Sequence, residues 1–211
     1  MPRFLVVLDV DSTLIEDEII ELLAVEAGTR DEVAAITSEA MNGRMDFETS
    51  LRTRVATLKG LPETAFAKVA ASVTVTTGVP KLIGAVQFAG GRVGVVSGGF
   101  HEVIDPLAFS LGLDRWKANC LEVKNGELTG ELSGQIIDAQ AKADILKEWS
   151  AVYSIPLSQC IAIGDGANDL PMMAQAGLSI GFDAKPPVRD KANLILEVRD
   201  LSLVLPLIGL Y

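Results

Sequence analysis

Two cysteines and one histidine in 211 residues exclude several chemistries at once. Cys120 and Cys160 lie far apart in apolar stretches, with no second thiol or imidazole beside them. They read as reduced core thiols of a cytoplasmic protein, not as a disulfide frame or a thiolate metal site. His101 alone cannot build a histidine-rich metal centre, and any Ser-His-Asp triad would have to use it; no Gly-x-Ser-x-Gly elbow is expected to accompany it. Basic residues are the minority, 18 Lys and Arg against 28 Asp and Glu, for a net charge of −10. That balance argues against nucleic acid and anionic membrane as partners, although a local basic pocket can still take a small anion. Long hydrophobic runs are also missing. The first apolar run stops at Asp9 without a small-residue cleavage site, so no signal peptide is expected. The last, from Leu201 to Tyr211, is about half of the ~20 residues a membrane span needs and carries Pro206, so it reads as a segment packed on the core. Internal repeats and low-complexity linkers are absent too.

What is present is a compact composition, 49% hydrophobic and 22% charged, over a length that suits one core with a modest insertion. Phe4-Leu5-Val6-Val7-Leu8 is unbroken by any polar residue, as in a central parallel strand buried on both faces. It ends in Asp9-Val10-Asp11-Ser12-Thr13. Strand period two puts Asp9 and Asp11 on the same side, at the carboxyl end where open α/β sheets place ligands. Two like charges so close are costly unless a cation bridges them or one holds a proton. A turn with a helix N-cap is the plainer use of such a pair, and only the rest of the chain decides between them.

After Thr13 the spacing predicts four helices: Glu16 to Gly28, about Asp31 to Met41 ending at Asn42-Gly43, Asp46 to Gly60, and Leu61 to about Ser72. Four helices with no strand between them are too many for a simple crossover, so residues 15–74 read as an inserted helical cap on a core made of 1–14 and 75–211. From Val75 the βα rhythm resumes. Gly78-Val79-Pro80 opens a helix, Arg92 to Val96 reads as a strand ending in Ser97-Gly98-Gly99, and a helix follows from Phe100 to Gly112. Asn125-Gly126 between alternating segments predicts a type I′ hairpin. A helix spans Ala139 to Tyr153, a buried strand Ile161 to Ile163 closes on Gly164-Asp165-Gly166-Ala167-Asn168-Asp169, and a helix follows from Leu170. Leu178 to Phe182 and Asn193 to Leu196 supply further strands. The fold class is α/β, a Rossmann-like parallel-sheet core with an inserted helical cap and a small β-hairpin.

Three strand ends carry chemically useful residues, and a parallel sheet brings them to one edge. Asp165, Asn168 and Asp169 pack acidic and amide oxygens into one turn, as a hard cation such as Mg²⁺ requires. Ser97-Gly98-Gly99 before a helix offers a hydroxyl and backbone N–H groups, a natural phosphate seat. Lys142 could supply the cation that a phosphate pocket full of aspartates needs.

These four motifs, in this order, resemble those of haloacid dehalogenase superfamily phosphatases. Glu18, Met45-Asp46-Phe47-Glu48, Leu51-Arg52-Thr53-Arg54-Val55, Ser97-Gly98-Gly99-Phe100 and the Asn125-Gly126 hairpin are similar to the layout of the phosphoserine phosphatase subfamily. The resemblance implies a core of the haloacid dehalogenase type, with Asp9 as nucleophile and Asp11 as general acid and base. It further implies Mg²⁺ held by Asp9, the Asp11 backbone carbonyl and Asp165 with support from Asp169, and phosphate held by Ser97, Gly98, Lys142 and Asn168. Glu18 and Arg54 would read the ammonium and carboxylate of L-phosphoserine, while Met41 and Phe47 close the apolar side. The implied role is the last step of serine biosynthesis, in a cytoplasmic monomer or homodimer. Phosphotransfer to homoserine, another small phosphomonoester as substrate, and a non-catalytic phosphoamino-acid sensor are the alternatives. For His101 a structural or solvated role is expected.

Overall fold

The computed structural model describes residues 2–41 and 44–210, the side chain of Met41 excepted. The Asn42-Gly43 helix end therefore lies outside the described residues. In chain order the elements are β1 (Leu5–Leu8), α1 (Ile19–Ala27), α2 (Arg30–Met41), α3 (Phe47–Ala56), α4 (Thr64–Ser72), α5 (Val79–Phe88) and β2 (Arg92–Phe100). They continue with α6 (His101–Leu111), β3 (Arg115–Lys124), β4 (Glu127–Ser133), α7 (Ala139–Tyr153), β5 (Cys160–Gly164), α8 (Leu170–Gln175), β6 (Leu178–Phe182), α9 (Pro186–Arg189), β7 (Leu194–Leu196) and α10 (Val204–Leu207).

The strands form one sheet in the order β4-β3-β2-β1-β5-β6-β7. Every pairing is parallel except β3 with β4, which is the antiparallel hairpin. The chain builds outward from β1 in one direction through β2, and later in the other through β5. β1 thus lies at the topological switch point, where the flanking loops part and leave a crevice. Its alternation supports both faces of the sheet. Val6 and Leu8 enter the core shared with α1 to α4 and α5, while Leu5 and Val7 enter a second core with Leu146 and Trp149 of α7 and Met172 and Met173 of α8. The hairpin turn has positive φ at both Asn125 (56°) and Gly126 (81°), the requirement of type I′.

Helices α1 to α4 leave and rejoin the core through two adjacent linkers. Ile15 bridges Val75, Thr76 N–H donates to Leu14 O at 3.0 Å, and Glu16 N–H donates to Thr74 O at 2.9 Å. The far side of the helical insertion is tied to the hairpin by Gly60 N–H to Leu128 O, Leu128 N–H to Leu61 O and Glu63 N–H to Gly126 O, at 2.8 to 2.9 Å. Two helix starts differ from the sequence expectation. α1 begins at Ile19, not Glu16, because residues 10–14 form a wide turn with Ser12 at φ 58° and Ile15 N–H bonded back to Val10 O. α4 begins at Thr64, not Leu61, because Pro62 keeps the residue before it extended, and Pro62 itself bridges to Glu127. The C-terminal segment packs on the core through Leu201, Val204 and Leu205, and among the described residues no helix is long and apolar enough to cross a membrane.

Candidate active site

Asp9 follows the last residue of β1, and Asp165 follows the last residue of β5. The neighbouring strands hold them side by side, with Asp9 N–H donating to Ile163 O at 2.9 Å. Asp9 is 4% exposed. Its Oδ1 accepts from Val10 N–H at 2.7 Å and from Lys142 Nζ at 2.6 Å, and among the described residues no donor reaches Oδ2. One oxygen of the carboxylate is thereby fixed and the other is left unbonded.

Lys142 contradicts the ordinary fate of a helical lysine, which is solvation. It is 1% exposed and also reaches Asp169 Oδ1 at 2.8 Å. Burial alone would lower its pKa, but Asp169 and Asp9 outweigh burial and hold it above the ordinary lysine value, so the ammonium stays charged. Asp138 makes this possible by capping α7 through Ala141 N–H at 2.8 Å, which sets the helix end that carries Lys142 into the site.

Asp11 sits beside Asp9 but turns toward α1, where its Oδ1 accepts from Ile19 N–H at 3.2 Å. The sequence alternatives therefore coexist: the residue caps α1 and faces the site together. Desolvation first, then Glu18 and Asp9, push its carboxyl well above the usual carboxylate range. Glu18 Oε1 accepts from Ser12 Oγ at 2.9 Å, and burial raises its pKa too. Arg54 points at the same space. Burial lowers its pKa against the pull of Glu18, Asp11 and Glu21, and among the described residues it forms no ion pair, its Nε making only a 3.4 Å contact to Ser50 O. An unpaired guanidinium in a partly desolvated site is an anion receptor in waiting.

Phe47 at the start of α3 closes over the Ser97-Gly98-Gly99 loop: a Cβ added to Gly98 would lie 3.4 Å from its ring. At Gly99 an added Cβ would meet Ser97 Oγ at 3.0 Å, Ile19 at 3.2 Å and Asp11 Oδ2 at 3.3 Å, so any larger residue would push loop, α1 and acid apart by a few tenths of an ångström. Ser97 is fully buried and accepts from Gly99 N–H at 2.7 Å. Asn168 is half-buried in the turn before Asp169, and its amide bonds no described protein group. The Met41 side chain lies outside the described residues.

Asp9, Asp165 and Asp169 present carboxylate oxygens all within 4.8 Å of one another. Burial, with the charge of Asp9 adding, raises Asp165 and pushes Asp169 up to about 7. With Asp11 and Glu18 the site gathers five carboxylates against three cations, Lys142, Arg54 and Lys185. A deficit of positive charge among hard oxygen donors fits a divalent metal ion.

Lys185 was not singled out from the sequence. It pairs with Asp165 Oδ2 at 2.9 Å from the loop after β6, and its own N–H donates to Asp165 O. The signal was available, because β6 is a further strand ending at the same edge. Arg199 was missed as well. It bonds Ser12 O, Glu16 and Asp183 together and so braces the turn that carries Asp11, but it arrives from the distant C-terminal region, where no local pattern marks it. The expectation that no Gly-x-Ser-x-Gly elbow accompanies His101 is wrong as a reading of the sequence. Gly177-Leu178-Ser179-Ile180-Gly181 has the right spelling, yet Ser179 lies within β6 and bonds Asn193. His101 has the structural role expected of it, with Nδ1 on Asp105 at 2.6 Å and Nε2 accepting from Ala118 N–H at 3.1 Å.

The family model of haloacid dehalogenase-like hydrolases matches residues 6–174. The phosphoserine phosphatase of Streptomyces coelicolor is 52% identical over 206 residues, which are 98% of this chain and 50% of that protein. This chain thus spans half the length of that relative. The phosphoserine phosphatase of Streptococcus thermophilus is 49% identical over 204 residues, 97% of this chain and 95% of that protein. Among solved structures, a phospho-aspartyl intermediate analogue of phosphoserine phosphatase superposes with a TM-score of 0.92 at 42% identity, covering 98% of this chain and 99% of that one. Likeness at this level, in residues and in backbone and along nearly the whole chain, makes the protein a member of the haloacid dehalogenase-like hydrolase family, on its phosphoserine phosphatase branch.

Proposed function

We propose that the chain hydrolyses O-phospho-L-serine to L-serine and phosphate through an aspartyl-phosphate on Asp9, with Mg²⁺ as its metal. The observation that carries this reading is the Asp9 carboxylate itself, with Oδ1 pinned by Val10 N–H and Lys142 and Oδ2 left unbonded at the switch point. A pinned carboxylate can attack phosphorus without first shedding a hydrogen-bonded partner from its reacting oxygen, and covalent transfer splits one hard displacement into two.

In the first step Asp9 Oδ2 forms the new bond to phosphorus as the bond to the serine oxygen breaks. Asp11 gives its proton to the departing alkoxide. Its raised pKa and its contact with the first residue of α1 suit it to hold that proton. In the second step Asp11, now a carboxylate, takes a proton from water as the water attacks phosphorus. The bond from phosphorus to Asp9 breaks, which returns Asp9 as a carboxylate and frees phosphate. Ser97, the Gly98 N–H, Asn168 and Lys142 hold the non-bridging oxygens through both steps. Asp9, Asp165 and the Asp11 backbone carbonyl would hold the metal, with Asp169 behind them. When bound, it offsets phosphate charge and lets an anionic nucleophile approach an anionic substrate.

Arg54 binds the substrate carboxylate by its planar fork, and Glu18 binds the ammonium. Phe47 seals the apolar side, and Met41 is assigned beside it. Residues 15–74 act as a cap over the core of 1–14 and 75–211. The product fits the last step of serine biosynthesis in the cytoplasm. The test is phosphate release from L-phosphoserine with and without Mg²⁺, with rapid-quench labelling and product analysis in the presence of homoserine. EDTA should abolish release, Asp9→Asn should abolish the covalent intermediate, and serine should be the product without phosphohomoserine. Full activity in excess chelator, or label on a residue other than Asp9, refutes the reading.

A further inference from the structure

The pairing of β2 with β3 breaks where the phosphate loop begins. Val96 pairs with Lys117, and the next pair is Phe100 with Asn119, so β2 uses two more residues than β3 over this interval. The excess bulges out of the ladder, which is how Ser97-Gly98-Gly99 leaves the sheet and enters the site. Backbone groups released by a buried bulge need other partners. Asn119, 1% exposed, provides them from the neighbouring strand. Its Nδ2 donates to Gly98 O at 2.8 Å, and its Oδ1 accepts from Ile137 N–H at 2.8 Å.

Each arm ends on phosphate-binding machinery. Gly98 O shares a peptide unit with Gly99 N–H, which donates to Ser97 Oγ at 2.7 Å. Holding the carbonyl therefore aims the N–H, and the N–H occupies a lone pair of Ser97 Oγ, which directs the hydroxyl hydrogen elsewhere, toward the site. The other arm fixes Ile137, the residue before Asp138, whose carboxylate caps α7 and so sets the helix that carries Lys142.

We propose that Asn119 is a positioning residue that sets the Ser97 loop against Lys142, so that the phosphate seat is preformed before a ligand arrives. This rests on the reading of Ser97, Gly98 and Lys142 as phosphate holders. Asn119 touches neither substrate nor reacting atoms. Its effect is separable from the packing of β3, because Ala118 N–H bonds His101 and Leu121 N–H bonds Glu102 at 2.9 Å without its help.

The experiment is calorimetric binding of inorganic phosphate to the Mg²⁺-loaded protein, in native chain, Asn119→Asp and Asn119→Ala, with kcat/KM measured on L-phosphoserine and phosphoethanolamine. Asp keeps the acceptor for Ile137 and, ionised, loses the donor toward Gly98; Ala loses both. Phosphate affinity should fall about tenfold in Asn119→Asp and further in Asn119→Ala, as expected for one and two lost buried hydrogen bonds. The ratio of the two substrates should not change, since their amino-acid ends are read elsewhere. Phosphate affinity within twofold of native in a folded variant overturns the proposal, whatever happens to melting temperature. If Asn119→Ala does not fold, Asn119→Asp decides alone. Native chain that binds phosphate but releases none from phosphoserine would refute the proposed function and leave the Asn119 test intact, because the test is read on phosphate.

Discussion

Replacing Lys142 with methionine is the sharpest perturbation the site allows, because it keeps the apolar stem and removes one charge. The native ammonium lies 2.6 Å from Asp9 and 2.8 Å from Asp169, in surroundings with almost no access to water. Lys142→Met therefore leaves two buried carboxylates without their cation. Breaking a buried pair by removing one partner costs about 3–5 kcal/mol, because the remaining charge is desolvated and uncompensated. For a chain of this length each kcal/mol shifts Tm by roughly 2–4 °C, so the metal-free variant should melt about 6–20 °C below the native protein at pH 8.

The pH dependence of that loss follows from the carboxyls. Asp169 is already at about 7 in the folded protein against an ordinary 3.8, so folding favours its protonated form. A carboxyl raised in the folded state adds stability as pH falls from above its folded value toward its unfolded one. Without Lys142 the rise is larger. The deficit of Lys142→Met should therefore shrink between pH 8 and pH 5, as a protonated Asp169 no longer needs a cation. Calorimetric melting in EDTA across that range measures it. A variant within 2 °C of native at pH 8, or one whose deficit grows as pH falls, would refute the account of Lys142 as the buried counter-ion.

Two further outcomes test the cap. Arg54→Ala should cut kcat/KM on L-phosphoserine by about 10- to 150-fold while barely changing phosphoethanolamine, which lacks the carboxylate; this corresponds to about 1.5–3 kcal/mol for a charge-assisted contact, and equal losses on both substrates would show that Arg54 only holds α3. With trifluoroberyllate bound, amide exchange should slow across residues 15–74 and at the linkers near Leu14 and Thr76, and unchanged exchange there would argue against closure of the cap.

The sequence by itself determined the central strands and the edge at which the aspartates gather. Leu5 to Leu8 read as a strand buried on both faces and are one, Asn125-Gly126 could hardly be anything but a I′ turn, and glycines 28 and 112 ended their helices with φ of 72° and 68°. Each of these is written locally, in periodicity or in a backbone conformation that few residues accept. Asp9, Asp165 and Asp169 were legible for a related reason: they follow strand ends, and a parallel sheet sends all its strand ends to one edge. Tertiary structure alone decided the rest. Whether Lys142 was solvated or buried depended on the orientation of α7, which a cap on Asp138 and an amide from β3 set together. Lys185 and Arg199 join the site from beyond residue 180, and Asn119 braces a bulge that exists only because two strands pair out of step. Their partners are separated by long stretches of chain, so no pattern in a local window could reveal them; only the packed sheet brings such residues within hydrogen-bonding reach.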